Sequence, residues 1–140
     1  MPAYSRSNLA AYQSAAAHGG VAASDPHGLV LMLMDGALER ITTARGCMER
    51  GATAEKARLL NRAVSIIGEL RSSLDLSAGG QIAANLSALY EYMCHRLLKA
   101  TSENRVEFLD EVSKLLHEIR SGWVAIPAPA RKRASQDAVP

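Results

Sequence analysis

The sequence predicts an all-α protein: an antiparallel up-down four-helix bundle with a short N-terminal arm or helix and a disordered C-terminal tail. Three observations carry this. The 140 residues are 48% hydrophobic but only 4% aromatic, so the core must be built from Leu, Ile, Val, Met and Ala. Of these, Ala, Leu and Met lose little rotamer freedom in a helix. The five prolines stand at 2, 26, 127, 129 and 140, so none interrupts residues 27–126, and proline is the residue that breaks helices. Apolar residues in that stretch recur at helical spacing in four runs joined by connections of about three residues, and such short connections force antiparallel neighbours. The domains follow as 1–23 (arm), 24–126 (bundle) and 127–140 (tail).

The arm is rich in Ala, Ser and Gly, with Tyr4, Leu9, Tyr12 and Val21 as isolated anchors. A short helix around 7–17 is expected, broken by Gly19-Gly20. The first long helix starts at Pro26, with Asp25 as its cap. Leu29, Met32, Leu33, Ala37, Ile41, Ala44 and Met48 keep helical spacing, and Gly51 ends the helix as a left-handed residue. Residues 29–34 are apolar on all sides, which means enclosure or a partner.

The second helix is expected after Thr53 as cap, running to about Leu74 with a stripe of Leu59, Ala63, Ile66, Ile67, Leu70 and Leu74. The third begins near Ala78. Its stripe is Ile82, Leu86, Leu89, Met93 and Leu97, widened by Ala83, Tyr90 and Cys94. The fourth follows Asn104, with Glu107 completing a capping box, and carries Val106, Leu109, Val112, Leu116, Ile119 and Trp123. Each helix is roughly 21–25 residues, about 30–37 Å long. From Pro127 the Pro-Ala-Pro and charged residues predict disorder.

Composition excludes several function classes. The net charge is +2, and Arg131, Lys132, Arg133 and Asp137 of the tail sum to that value, leaving the body formally neutral. No clustered basic face implies nucleic acid, and the Arg-Lys-Arg run is expected to be a solvated tail end. No apolar run reaches the ~18 residues of a membrane span, so no membrane insertion is expected, and no signal peptide. Cys47 and Cys94 lack metal or redox spacing and are expected to be buried free thiols in a reducing compartment. No catalytic constellation is present. Glu91 and His95 are four apart rather than the three of a di-metal bundle motif, and His18, His27, His95 and His117 are unclustered. No enzyme, cofactor or metal is expected.

Two segments remain that carry more apolar surface than one packed stripe requires. One is Ser24-Asp25-Pro26-His27-x-Leu29-x-x-Met32-Leu33-x-Asp35-Gly36-Ala37. The other is Leu74-Asp75-x-x-x-Gly79-Gly80-x-Ile82-Ala83-x-Asn85-Leu86-x-x-Leu89-Tyr90-x-Tyr92-Met93. Both resemble the flagellar export chaperone family FliS. Tyr12 ahead of Val21 is similar too, as is the ending Glu111-Val112, Leu116, Ile119, Trp123. The resemblance covers about residues 4–126. Departures are Ser24-Asp25-Pro26 for Ala-Ser-Pro, Met34 for an aromatic and Gln81 for Glu. Of these, Met34 is expected to alter the apolar surface.

The resemblance implies a cytoplasmic protein that binds the C-terminal disordered segment of flagellin. It implies that binding blocks premature polymerisation and that the cargo is delivered to the cytosolic domain of the flagellar type III export gate. Cargo-binding residues are then expected at Leu29, Met32, Leu33, Gly36, Gly79, Gly80, Ile82, Ala83, Asn85, Leu86, Leu89 and Tyr90. Leu9, Tyr12 and Val21 on the arm are expected to contact the export gate or cover the groove, with weak self-association when cargo is absent. The alternative is a structural or oligomerising bundle without flagellin cargo.

Bland readings stand beside these. Gly36 serves close helix approach or keeps a groove floor open. Gly79-Gly80 serves a tight turn or lets a cargo backbone come near. Asn85 bonds to a loop carbonyl across the bundle, the favoured reading, or holds cargo main chain. One of Tyr90 and Tyr92 is core edge and the other a contact. Met32, Met34, Met48 and Met93 are core or an adaptable surface. Asp35 and Asp75 are expected to bond backbone donors near helix ends.

Overall fold

The computed structural model describes residues 25–126. Four helices follow in order: α1 (Pro26–Arg50), α2 (Thr53–Ser72), α3 (Leu76–Glu103) and α4 (Val106–Val124). Each packs on two neighbours, α1 on α2, α2 on α3, α3 on α4 and α4 back on α1. The backbones of the diagonal pairs stay apart, so the helices close a four-membered ring around one core. The all-α up-down bundle predicted from the sequence is the observed fold. The arm and the tail, including Leu9, Tyr12, Val21 and the Arg-Lys-Arg run, lie outside the described residues.

The core comes from the predicted stripes. Leu33, Ile41, Ile67, Met93, Leu97 and Leu116 are buried to 2% exposure or less, each contributing about 1.5–3 kcal/mol of transfer free energy. Met34 is equally buried. It therefore repacks the interior and does not reshape the surface, contrary to expectation.

The start of α1 is as predicted: Asp25 accepts from the His27 backbone N–H at 2.9 Å and Pro26 holds the first position. Its end is also as predicted, with Gly51 at φ 73° taking the left-handed cap. The other caps differ from expectation. Ala52, not Thr53, precedes α2, and no side chain caps it. Asp75 caps α3, accepting from the Ser77 and Ala78 N–H groups, so α3 starts earlier than predicted. Asn104 is not an N-cap for α4. It closes α3 in the left-handed conformation at φ 54°, and Arg105 precedes α4 without a side-chain cap.

Lys56 was not predicted as an interior residue. It is 3% exposed and donates from Nζ to the Thr101 carbonyl at 3.1 Å and to Asn104 Oδ1 at 3.0 Å. The signal was present in the spacing: residues 56, 59, 63, 66 and 70 form one helical stripe, and Lys opens it.

Candidate functional site

Because the helices alternate in direction, the start of α1, the end of α2, the start of α3 and the end of α4 meet at one end of the bundle. Interlocking side chains hold that end. The Trp123 ring stands edge-on to His27, centroids 4.9 Å apart at 72°, and its Nε1–H donates to the His27 carbonyl at 3.0 Å. Arg120 forks onto Asp35, joining α4 to α1. Asp35 therefore pairs across the bundle and does not bond a helix end, as Asp75 does. Arg71 of α2 reaches Ser87 at 2.9 Å and Glu91 at 2.6 Å on α3. Glu91 is thus committed to an inter-helix pair and not to His95.

This end carries exposed apolar side chains. Ile82 is 74% exposed, Leu76 58% and Val124 47%. Leu29, Met32, Leu86, Leu89 and Trp123 around them are half-buried. Water contact at so many large apolar groups costs free energy that association recovers. Tyr92 and Leu98 are also exposed, further along α3.

The predicted site residues of the bundle divide into three groups. Leu33, Gly36, Ala83 and Tyr90 are buried, and Leu33 and Tyr90 belong to the core cluster. Burial pushes the Tyr90 hydroxyl up to about 12. Leu29, Met32, Leu86 and Leu89 straddle core and surface. Gly79, Gly80, Ile82 and Asn85 are exposed. Ile82 was assigned to the core stripe, but the stripe at that level passes through Ala83, which is 6% exposed. Asn85 makes no bond across the bundle; its Oδ1 accepts from Gln81 Nε2 at 2.8 Å, one turn away on the same helix. Of the two tyrosines, Tyr90 is core. Tyr92 lies at the surface, where its hydroxyl donates to Glu111 at 2.6 Å.

A polar-aromatic seam joins α3 to α4. Arg96 donates to Glu111 at 2.7 Å and its guanidinium lies 3.8 Å from the Phe108 ring centre. The Tyr92 hydroxyl and then the Arg96 guanidinium hold the Glu111 carboxyl below its ordinary value. Cys47 and Cys94 are free thiols, and Cys94 is half-buried where full burial was expected. Burial pushes its thiol up to about 11, which leaves it without nucleophilic character at neutral pH. No group of three metal-binding side chains occurs among the described residues. None of their helices is long and apolar enough to cross a membrane.

Fold and site together define a class: a helical bundle that, among the described residues, exposes large apolar side chains at one end. The comparison with known proteins narrows it. The family described as Flagellar protein FliS matches residues 8–130, and the chain belongs to that family. Among its relatives is the flagellar secretion chaperone FliSB of Pseudomonas aeruginosa, 46% identical over 123 residues, 88% of this chain and 98% of that protein. The flagellar secretion chaperone FliS of Vibrio cholerae is 38% identical, covering 87% of this chain and 90% of its own. That of Salmonella typhimurium is 37% identical over 95% of this chain and 99% of its own. The relatives are named chaperones, not enzymes.

Proposed function

We propose that this chain is a cytoplasmic flagellar export chaperone. It binds the C-terminal disordered segment of flagellin, prevents premature polymerisation and delivers the segment to the cytosolic domain of the flagellar type III export gate. The single observation that carries the reading is the cluster of exposed apolar side chains, Leu76, Ile82 and Val124, at one end of a bundle of this family. Leu29, Met32, Leu86, Leu89, Gly79, Gly80 and Asn85 line the cargo path. Leu33, Gly36, Ala83 and Tyr90 support it from beneath. Leu9, Tyr12 and Val21 cover this end or engage the gate.

A disordered segment loses conformational entropy when it is ordered, so the interface must bury about 1,000–3,000 Å². The cargo therefore runs over more than one face. Burial on that scale gives a strongly negative heat-capacity change. Calorimetric titration of the flagellin C-terminal segment at several temperatures and two salt concentrations tests this. Tight binding with a negative heat-capacity change and weak salt dependence supports it. No binding, or affinity that collapses with salt, refutes it.

A further inference from the structure

The first turn of α3 is separated from the rest by a backbone break at Gly80, where φ is 56° and ψ is −136°. That region is open to glycine and closed to L side chains. Gly79 is required on independent grounds: a Cβ placed there would lie 2.5 Å from the Cβ of Ala83. In a continuous helix the same pair would be about 5–6 Å apart. Both glycines are therefore demanded by the break and neither by an unbroken helix.

The apolar spacing runs on across the break. Leu76, Ala83, Tyr90 and Leu97 are spaced seven apart, a repeat that drifts only about 20° around a straight helix. Ala83, Tyr90 and Leu97 are buried at 6%, 3% and 0%, whereas Leu76 is 58% exposed. Leu76, on the far side of the break, is off the buried stripe, and Ile82 just after the break is exposed as well. The displaced turn keeps its own cap, since Asp75 accepts from Ser77 and Ala78.

We infer that Gly79-Gly80 is a joint with two states. In the bent state Leu76 and Ile82 form an apolar edge at the end of the bundle. In the straight state Leu76 returns to the Ala83–Tyr90–Leu97 stripe and the edge is dismantled. The bent state is the one that takes a partner segment. This last step rests on the chaperone reading; the existence of two states does not.

Two chemically opposite substitutions at one position test it. Gly80→Ala penalises positive φ and favours the straight helix. D-alanine at position 80 favours the bend, because φ 56°, ψ −136° mirrors a common L conformation. The D residue enters the full chain by joining a synthetic 47–93 segment at the native Cys47 and Cys94. The bend brings the Gly79 α-proton against the Ala83 methyl, a contact visible as a strong nuclear Overhauser effect. Wild type and the D-Ala protein should show it, and Gly80→Ala should lose it. The two variants add the same methyl, so they are compared with each other: the flagellin C-terminal segment should bind the D-Ala protein about tenfold more tightly than Gly80→Ala. Persistence of the contact in Gly80→Ala overturns the two states. Its loss with the two variants equal in affinity overturns the binding role. If wild type does not bind the segment, the chaperone reading and the binding role fall together, while the proton contact still decides whether the joint exists.

Discussion

Lys56 of α2 and Asn104, the residue that caps α3, meet at the far end of the bundle, with Nζ 3.0 Å from Oδ1. Nζ also holds the Thr101 carbonyl, one of the last carbonyls of α3, which lack helical partners. One buried ammonium thus closes α3 from the start of α2. Lys56→Met preserves the apolar stem and removes the donor. It should lower stability by about 1 kcal/mol by removing a donor from the half-buried Thr101 carbonyl and from the Asn104 side chain. Asn104→Ala should cost a similar amount, since it removes the acceptor and Ala tolerates positive φ less well than Asn. Urea melts check both. The two losses should be less than additive, because they break one contact. Unchanged midpoints would mean the pair is not structural.

Trp123 is the sole tryptophan of the chain, and its N–H ties α4 to the first turn of α1. Trp123→Phe keeps a ring against His27 but loses that bond. About 1 kcal/mol of stability should be lost. Amide exchange should rise in the first turn of α1 and not in α2. Uniform acceleration along the chain would mean the bond is not local to this end.

Much of the fold was legible because it rests on periodicity. Leu33, Ile41, Leu70, Met93 and Leu116 announce their burial by spacing alone. Caps were harder to place, because Ser, Thr, Asn and Asp occur on both sides of a short connection. Asn104 suits an N-cap and a left-handed C-terminal residue equally well, and only the chain geometry decides. Ile82 was misplaced for a related reason. Four residues back from Leu86 is Ile82 and seven back from Tyr90 is Ala83; both spacings fit a period of 3.6, but only Ala83 is buried. Asn85 was assumed to lie in an apolar surrounding from its sequence neighbours, yet its face of α3 is solvent. The exposed apolar end was legible as excess apolar residues, but not which of them were surplus to packing.

Acid should loosen α3 first at its cap. The Ala78 N–H and the Ser77 hydroxyl hold the Asp75 carboxyl below its ordinary 3.8. A folded value below the unfolded one stabilises the protein above about pH 4, and that contribution is lost as pH falls through the folded value. Asp75→Asn keeps the acceptor oxygen but cannot titrate. Its urea midpoint should lie below wild type at pH 7, and the two should converge as pH falls from 5 to 2.5. Parallel pH profiles would exclude the cap as a source of acid sensitivity.

Cys94 should be inert in the folded protein. Its thiol is raised from 9.0 to about 11 by burial, so its thiolate fraction at pH 8 is about a hundredfold lower than that of an ordinary thiol. Reaction with an aromatic disulfide reagent should be at least that much slower in the native state than in urea. Because the folded value is the higher one, this group favours the native state below pH 9 and ceases to do so as pH climbs toward 11. Fast native labelling at Cys94, located by peptide mapping, would contradict the assignment.

Cargo binding is best tested at Ile82, not at Leu33. Leu33 is 2% exposed, so Leu33→Asp would bury a charge in the core and unfold the protein, which says nothing about binding. Leu86, half-buried, has the same defect in milder form. Ile82 is 74% exposed, and an acidic residue near a helix start is compatible with the helix dipole. Ile82→Asp should therefore change stability by no more than about 0.5 kcal/mol. If this end is the docking surface, the same change should weaken binding of the flagellin C-terminal segment by about 2 kcal/mol, roughly thirtyfold in Kd. Leu98→Asp serves as the control, because Leu98 is also exposed, at 48%, but lies about 24 Å further along α3. Its affinity should stay within a factor of two of wild type. Equal losses at both positions would mean that the apolar end has no special part in recognition.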